Sequence, residues 1–109
     1  MKELETFMLC EEKTERIWVL VSAEIKGGCL TISGHDMGGP VEMRFVEDEH
    51  EYWYRFDEMN TEHLIELLAR KEPDIKKALL DEFGGEEGCS NMRKFCKANG
   101  IKYKFDSWF

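Results

Sequence analysis

Glu51-Tyr52-Trp53-Tyr54-Arg55-Phe56-Asp57-Glu58-Met59-Asn60-Thr61-Glu62-His63-Leu64-Ile65-Glu66-Leu67-Leu68 decides the fold, because the hydrophobic period changes inside it. Up to Phe56 the residues alternate with a period of two, which is that of a strand. Tyr52, Tyr54 and Phe56 fall on one side, predicted to face a core. Trp53 falls on the other, between Glu51 and Arg55. From Asn60 onward the period is 3.6. Leu64, Ile65, Leu67 and Leu68 make a helical stripe that Asn60 or Thr61 can cap.

Upstream of this switch the chain reads as strands. Leu4 to Cys10 is a mixed apolar run, and Glu11-Glu12-Lys13-Thr14-Glu15 is polar enough for a turn. Ile17-Trp18-Val19-Leu20-Val21 is nearly continuous and β-branched, the pattern of a central strand with little solvent on either face. Lys26-Gly27-Gly28 allows a tight reversal into a short strand, Cys29-Leu30-Thr31-Ile32-Ser33. Gly34-His35-Asp36-Met37-Gly38-Gly39-Pro40 is a loop by composition. Val41-Glu42-Met43-Arg44-Phe45 alternates again and forms a predicted hairpin with Glu51–Phe56 across the charged turn Glu47-Asp48-Glu49-His50.

Downstream it reads as helices followed by one returning strand. Pro73 and Asp74 suit the first turn of a second helix bearing Ile75, Leu79, Leu80 and Phe83, which Gly84-Gly85 ends. Ser90 or Asn91 can cap a third, with Met92, Phe95 and Cys96 at helical spacing and Gly100 as its left-handed terminator. Ile101-Lys102-Tyr103-Lys104-Phe105-Asp106 alternates as a last strand, free to join a sheet edge or to pair with the first strand. The order predicts one α+β domain: an antiparallel meander of about five or six strands with about three helices on one face.

Composition bounds the function. The chain has 109 residues, 42% of them hydrophobic, which is enough for one core. No apolar run approaches the roughly 18–20 residues of a membrane span, and the start has no apolar signal region, so the expected location is the cytoplasm. The four cysteines, at 10, 29, 89 and 96, form no Cys-x-x-Cys. They are expected to be reduced structural thiols. His35, His50 and His63 lack zinc spacing, and the carboxylates lack the EF-hand pattern, so neither a metal nor a cofactor is expected.

Charge is concentrated. Between Asp36 and Glu62 lie nine acids and two bases, giving −7 in a chain whose total is −8. Phe45, Tyr52, Trp53, Tyr54 and Phe56 interleave with them. Such a field repels phosphate and attracts a cationic surface, so direct nucleic-acid binding is not expected. The basic stretch Arg93, Lys94, Lys97, Lys102 and Lys104 reads either as a solvated face balancing nearby acids or as a second contact surface. Catalysis would have to come from His35-Asp36 in the glycine-rich loop, with Ser33 or Cys29 as nucleophile. No nucleophile elbow, P-loop or His-Glu-x-x-His accompanies that pair, and Asp in such a loop more simply bonds its own backbone.

One further pattern covers most of the chain from Leu30 onward. It consists of Leu30-Thr31-Ile32-Ser33-Gly34-His35-Asp36-Met37-Gly38, Val41-Glu42, Glu51-Tyr52-Trp53-Tyr54, Phe83-Gly84-Gly85, Gly88-Cys89-Ser90, Phe95-Cys96, Asn99-Gly100-Ile101-Lys102-Tyr103 and Ser107-Trp108. This pattern resembles a family of small, acidic, mostly uncharacterised bacterial proteins. Its most specific parts are the Ser-Gly-x-Asp-x-Gly loop and the Asn-Gly-Ile…Trp ending. The resemblance implies an immunity protein, one that neutralises a polymorphic or contact-dependent toxin, and it brings no catalytic residues.

The expectation is therefore a non-enzymatic protein-binding module that covers a basic, nuclease-type toxin. Its contact residues would be Asp36, Glu42, Glu47, Asp48, Glu49, Glu51, Trp53 and Tyr54. The competing expectations are a structural or regulatory adaptor without a toxin and an enzyme using His35-Asp36. The plainest account of the acids is an edge that resists aggregation, with the aromatics as core.

Overall fold

A computed structural model describes residues 3–13, 17–38, 49–85 and 87–108. The expected strand Val41–Phe45 and the acids Glu42, Glu47 and Asp48 lie outside the described residues. The elements are β1 (Leu4–Lys13), β2 (Ile17–Lys26), β3 (Cys29–Gly38), β4 (Glu49–Arg55), α1 (Glu58–Ala69), α2 (Ile75–Phe83), α3 (Gly88–Asn99) and β5 (Lys104–Trp108). The five strands form one antiparallel sheet in the order β1-β2-β3-β4-β5, with three helices, which is an α+β fold. The returning strand joins the β4 edge. No helix among the described residues is long and apolar enough to cross a membrane.

Local chemistry explains the sheet. Lys26 pairs with Cys29, so Gly27 and Gly28 alone make the β2–β3 turn, both at positive φ (60° and 79°). That is the two-residue turn whose twist matches the strands. β3 does not stop at Ser33: it pairs with β2 and β4 through Gly38 and Met37 respectively, so the expected loop is strand over residues 34–38. The reason lies across the ladder. Gly34 faces Tyr52, and a Cβ on Gly34 would sit 2.1 Å from the Tyr52 ring. The ring lies flat over the glycine and fills the space of the missing side chain, so composition alone misleads there.

The sheet has two unlike faces. Val21, Ala23, Ile25, Leu30, Ile32 and Tyr54 are buried on the side covered by helices, and β1 adds Phe7 and Leu9. α1 packs on β3 and α2 on β1. The other face carries Met8, Trp18, Leu20, Ser22, Ser33, His35, Glu51 and Trp53, none of them buried. The continuous run in β2 is therefore two-sided only in part: Val21 is core, while Trp18 and Leu20 point to the face opposite the described helices.

The helix starts also shift from their expected caps. Asp57, not Asn60 or Thr61, caps α1, its carboxylate accepting the Asn60 N–H at 2.8 Å. Asp74 caps α2, leaving Pro73 just outside. α3 begins at Gly88 without a side-chain cap and ends at Gly100 with φ 67°. Gly88 sits so close to the end of α2 that a Cβ would lie 1.8 Å from the Phe83 carbonyl oxygen.

Freed from capping, Thr61 and Asn60 tie the layers together. The buried Thr61 hydroxyl accepts the Leu30 N–H at 2.9 Å, and Phe56 N–H reaches the Leu30 carbonyl at 2.9 Å. Asn60 accepts the Lys102 N–H at 2.9 Å, fixing the chain just before β5.

Thr61→Val keeps the volume but leaves a buried N–H without an acceptor. It should cost about 1–3 kcal/mol, read as a lower urea midpoint. Thr61→Ser, which keeps the acceptor, should be clearly more stable than Thr61→Val; equal midpoints would show that the bond contributes nothing. Gly34→Ala should cost about 1–3 kcal/mol through overpacking. Much of that loss should vanish in a Tyr52→Ala background, where the ring no longer occupies the space, whereas strict additivity would refute the account.

Candidate docking face and flanking groove

Strand alternation sorts the expected contact residues onto two sides. Trp53 and Glu51 share the open face, as the sequence suggests. Tyr54 does not: it is 5% exposed, on the helix side, and packs with the core. Asp36 is also on the helix side, directly across from His50, and does not border Trp53. Glu49 opens β4 at its backbone. Glu42, Glu47 and Asp48 lie outside the described residues.

The described acids of the central segment thus fall on different sides of the sheet and on α1. Asp57 is committed to capping, and the Asn60 N–H bond holds its carboxyl below the usual carboxylate range. Glu58 and Glu62 are exposed on α1. Burial raises the Asp36 carboxyl above its ordinary value, opposed by His50 and then His35. His35 and Asp36, as neighbours in a strand, point to opposite faces. His35 Nε2 lies 3.9 Å from Glu51 on the open side. The arrangement removes the side-by-side His-Asp pair on which the enzymatic expectation rested.

What the open face does bring together is tryptophan. Trp108 stands across from Glu51, and Asp106 from Trp53. Trp18 lies on the same face at β2, with Lys13 Nζ 4.8 Å from its ring centre. All three tryptophans of the chain therefore share this face. Trp108, at 53% exposure, was not among the expected contacts because alternation placed the end of the last strand at Asp106; the strand runs Lys104–Trp108. A shallow depression of about 260 Å³ runs between Met8, Leu20, Ser22, Ser33, His35 and Trp53. Its rim is mixed in charge: Arg55 pairs with Asp106 and lies 5.4 Å from the Trp53 ring centre.

A larger depression of about 440 Å³, at the β1–β2 end, is lined by Glu3, Glu5 and Glu24. Two of these acids hold local structure. Glu3 accepts the Gly27 N–H, and Glu24 accepts the Thr6 hydroxyl.

On the helix side, a depression of about 380 Å³ between α3 and β5 is lined by Tyr54, Arg93, Tyr103 and Phe105. The Arg93 guanidinium donates to the Tyr54 hydroxyl at 2.7 Å. Burial still leaves the Tyr54 phenol above its ordinary value, against the opposing pull of Arg93. Beyond it, His50 stacks on Tyr52 at 5.4 Å, and burial raises both the Tyr52 phenol and the Cys89 thiol that hydrogen-bonds to it.

None of the four cysteines is joined in a disulfide. Among the described residues, no group of three or more His, Cys, Asp or Glu is placed to hold a metal ion. Comparison with protein-family models, curated proteins and solved structures finds no match for this chain.

Burial pushes the Cys96 thiol up to about 11. Its thiolate is then scarce at pH 8, so native-state alkylation should label the half-buried Cys29 well before Cys96. Labelling of Cys96 should quicken about tenfold per pH unit on the approach to that value, since the thiolate is the nucleophile. The raised value also means that Cys96 favours the fold below pH 9 and that this contribution fades as pH rises from 9 toward 11. Peptide mass spectrometry after timed alkylation is the check; equal rates at Cys29 and Cys96 would contradict the buried environment.

Proposed function

We propose that this chain is a protein-binding module whose contact surface is the open face of the sheet. The observation that carries the proposal is the gathering of Trp18, Trp53 and Trp108 on a face that none of the described helices covers. Tryptophan is the side chain most enriched among binding hot spots, and a flat, half-apolar sheet face beside a mixed polar rim has the anatomy of an interface. Trp53 is the central anchor, with Met8 and Leu20 forming the floor beside it and Glu51 at the rim.

The net charge of −8 favours a basic partner through long-range steering. In the most specific form of this reading, the protein is a cytoplasmic immunity protein that covers the basic active site of a nuclease-type toxin. The family resemblance of the Leu30–Gly38 and Asn99–Tyr103 segments supports that form. Carboxylates and tryptophan would exclude the toxin's phosphate substrate, with no chemistry of their own and no direct contact with nucleic acid or membrane. The paired and mixed charges around Trp53 favour a second reading, an adaptor whose partner is not a toxin.

The test is a capture from the native host with wild-type and Trp53→Ala bait, followed by binding kinetics on whatever basic protein is retained. Trp53→Ala should speed dissociation, at a cost of about 2 kcal/mol or more. Glu51→Lys should mainly slow association, and more so at low salt. A partner that is harmless to cells lacking this protein sinks the immunity form; a partner whose toxicity this protein abolishes establishes it. If both variants fold and bind a genuine partner at unchanged rates, the open face is not the contact surface.

A further inference from the structure

From Gly88 to Lys104 the chain has five bases and no acid, so this stretch is +5 while the remainder is −13. One reading of such a stretch is that it balances acids nearby. The structure does not provide that balance. Arg93, Lys94, Lys97, Lys102 and Lys104 make no ion pair among the described residues, whereas Arg55, Arg70, Lys71 and Lys77 all do. Among the described residues these five bases are therefore left without an ion-pair partner, although Asp57 lines the depression beside Lys102 and Lys104.

The shape beside it is specific. β5 is an edge strand: β4 satisfies one side of its backbone, and the other side faces away from the sheet. Along its helix side runs the depression of about 380 Å³ lined by Tyr54, Arg93, Tyr103 and Phe105. The ring centroids of Tyr54 lie 4.9 Å from Phe105 and 5.5 Å from Tyr103, so the floor is a continuous aromatic surface. Phe105 is 49% exposed. Near the start of the strand, Lys102 and Lys104 border a second depression of about 230 Å³. An unpaired strand edge supplies main-chain hydrogen bonds, and pockets flanking it select alternate side chains.

We propose that an extended acidic segment of a partner protein adds as a sixth strand to the free edge of β5. On its helix side, apolar side chains would rest on Phe105 and Tyr103 and a carboxylate would meet Arg93, while on its opposite side a carboxylate would meet Lys102. Charge selects this occupant over the alternatives. A second copy joined edge to edge through β5 would bring two +5 surfaces together. A nucleic-acid strand would lie beside a body of charge −13, and long-range repulsion opposes it. An acidic peptide confines its charge to the basic stretch and makes the backbone bonds that phosphate cannot. This edge borders the open face through Asp106 and Trp108, but the proposal does not depend on the reading given above for that face.

The probe is a fluorescein-labelled, end-blocked peptide about eight residues long, with Val and Glu alternating on one face of the strand and Thr and Glu on the other. It is titrated against the full chain at low salt. The expected result is saturable anisotropy, with slowed hydrogen exchange confined to Lys104–Trp108. Binding should disappear when alternate peptide nitrogens are methylated, because strand addition needs those N–H groups. Arg93→Glu should weaken it at least about tenfold, as expected for reversing a close charge. Lys102→Glu serves as the independent variant should Arg93→Glu disturb Tyr54. Trp53→Ala should leave peptide binding unchanged. The proposal is overturned if the same peptide with Lys in place of Glu binds as well, if the methylated peptide is not weakened, if both charge reversals leave affinity intact, or if an oligothymidylate binds the same residues more tightly. Concentration-dependent self-association that protects Lys104–Trp108 without peptide would assign the edge to a second copy instead.

Discussion

The structure turns on the backbone of one residue, Leu30. Its carbonyl takes the N–H of Phe56, and its N–H reaches past the end of β4 to the hydroxyl of Thr61. Leu30 is fully buried, so neither group has water as an alternative partner. Thr61 lies in the first turn of α1, and the bond therefore locks the place where the chain leaves the sheet and enters the helical layer. The next residue back, Asn60, holds the Lys102 amide, and Asp57 caps the helix that presents both. One helical turn thus orients the helix layer on β3 and sets the point from which β5 departs.

The same economy runs through the charged residues. Of the acids that make the sequence so negative, several are fixed in local structure. Asp57 and Asp74 cap helices, Glu72 accepts the Asp74 N–H and pairs with Lys77, and Glu3 closes the β2–β3 turn. A formal charge count treats these as equivalent to free surface acids, which they are not. The bases Arg93, Lys94, Lys97, Lys102 and Lys104 are the opposite case: few in number, and in no ion pair among the described residues. Charge along the chain is accordingly less uniform than its net value indicates.

The alternation of Tyr52, Trp53 and Tyr54 made the two faces of β4 legible in the sequence, and with them the outward direction of Trp53 and the α+β class. Segments whose conformation depends on a distant partner were not legible. Gly34 looks like a loop residue until Tyr52 is known to lie on it. Asn60 and Thr61 look like caps because their side chains suit capping, yet the same polar atoms are needed across the fold by Lys102 and Leu30. Ile101 and Tyr103 alternate correctly with Phe105, but they pack as a connection, which moves the strand toward the C-terminus and brings Trp108 into it. Of the expected contact residues, Trp53 and Glu51 meet on one surface because they are two apart on one strand. Asp36 and Tyr54 fall on the other face because their parity is opposite.

The strand order has a kinetic corollary. β1 through β3 are joined by short turns, so their pairing closes small loops, whereas β5 reaches β4 only after three helices have intervened. Loop-closure entropy and sequence separation both make that the slowest contact to acquire. None of the five residues of β5 is buried, so it is also lightly held once formed. The strand that closes the sheet is then the natural unit of sub-global opening, detaching and re-forming while the β1–β4 body and the Leu30 joint stay intact. In that opened form the edge offered to solvent is β4, with Tyr52 and Tyr54 along it.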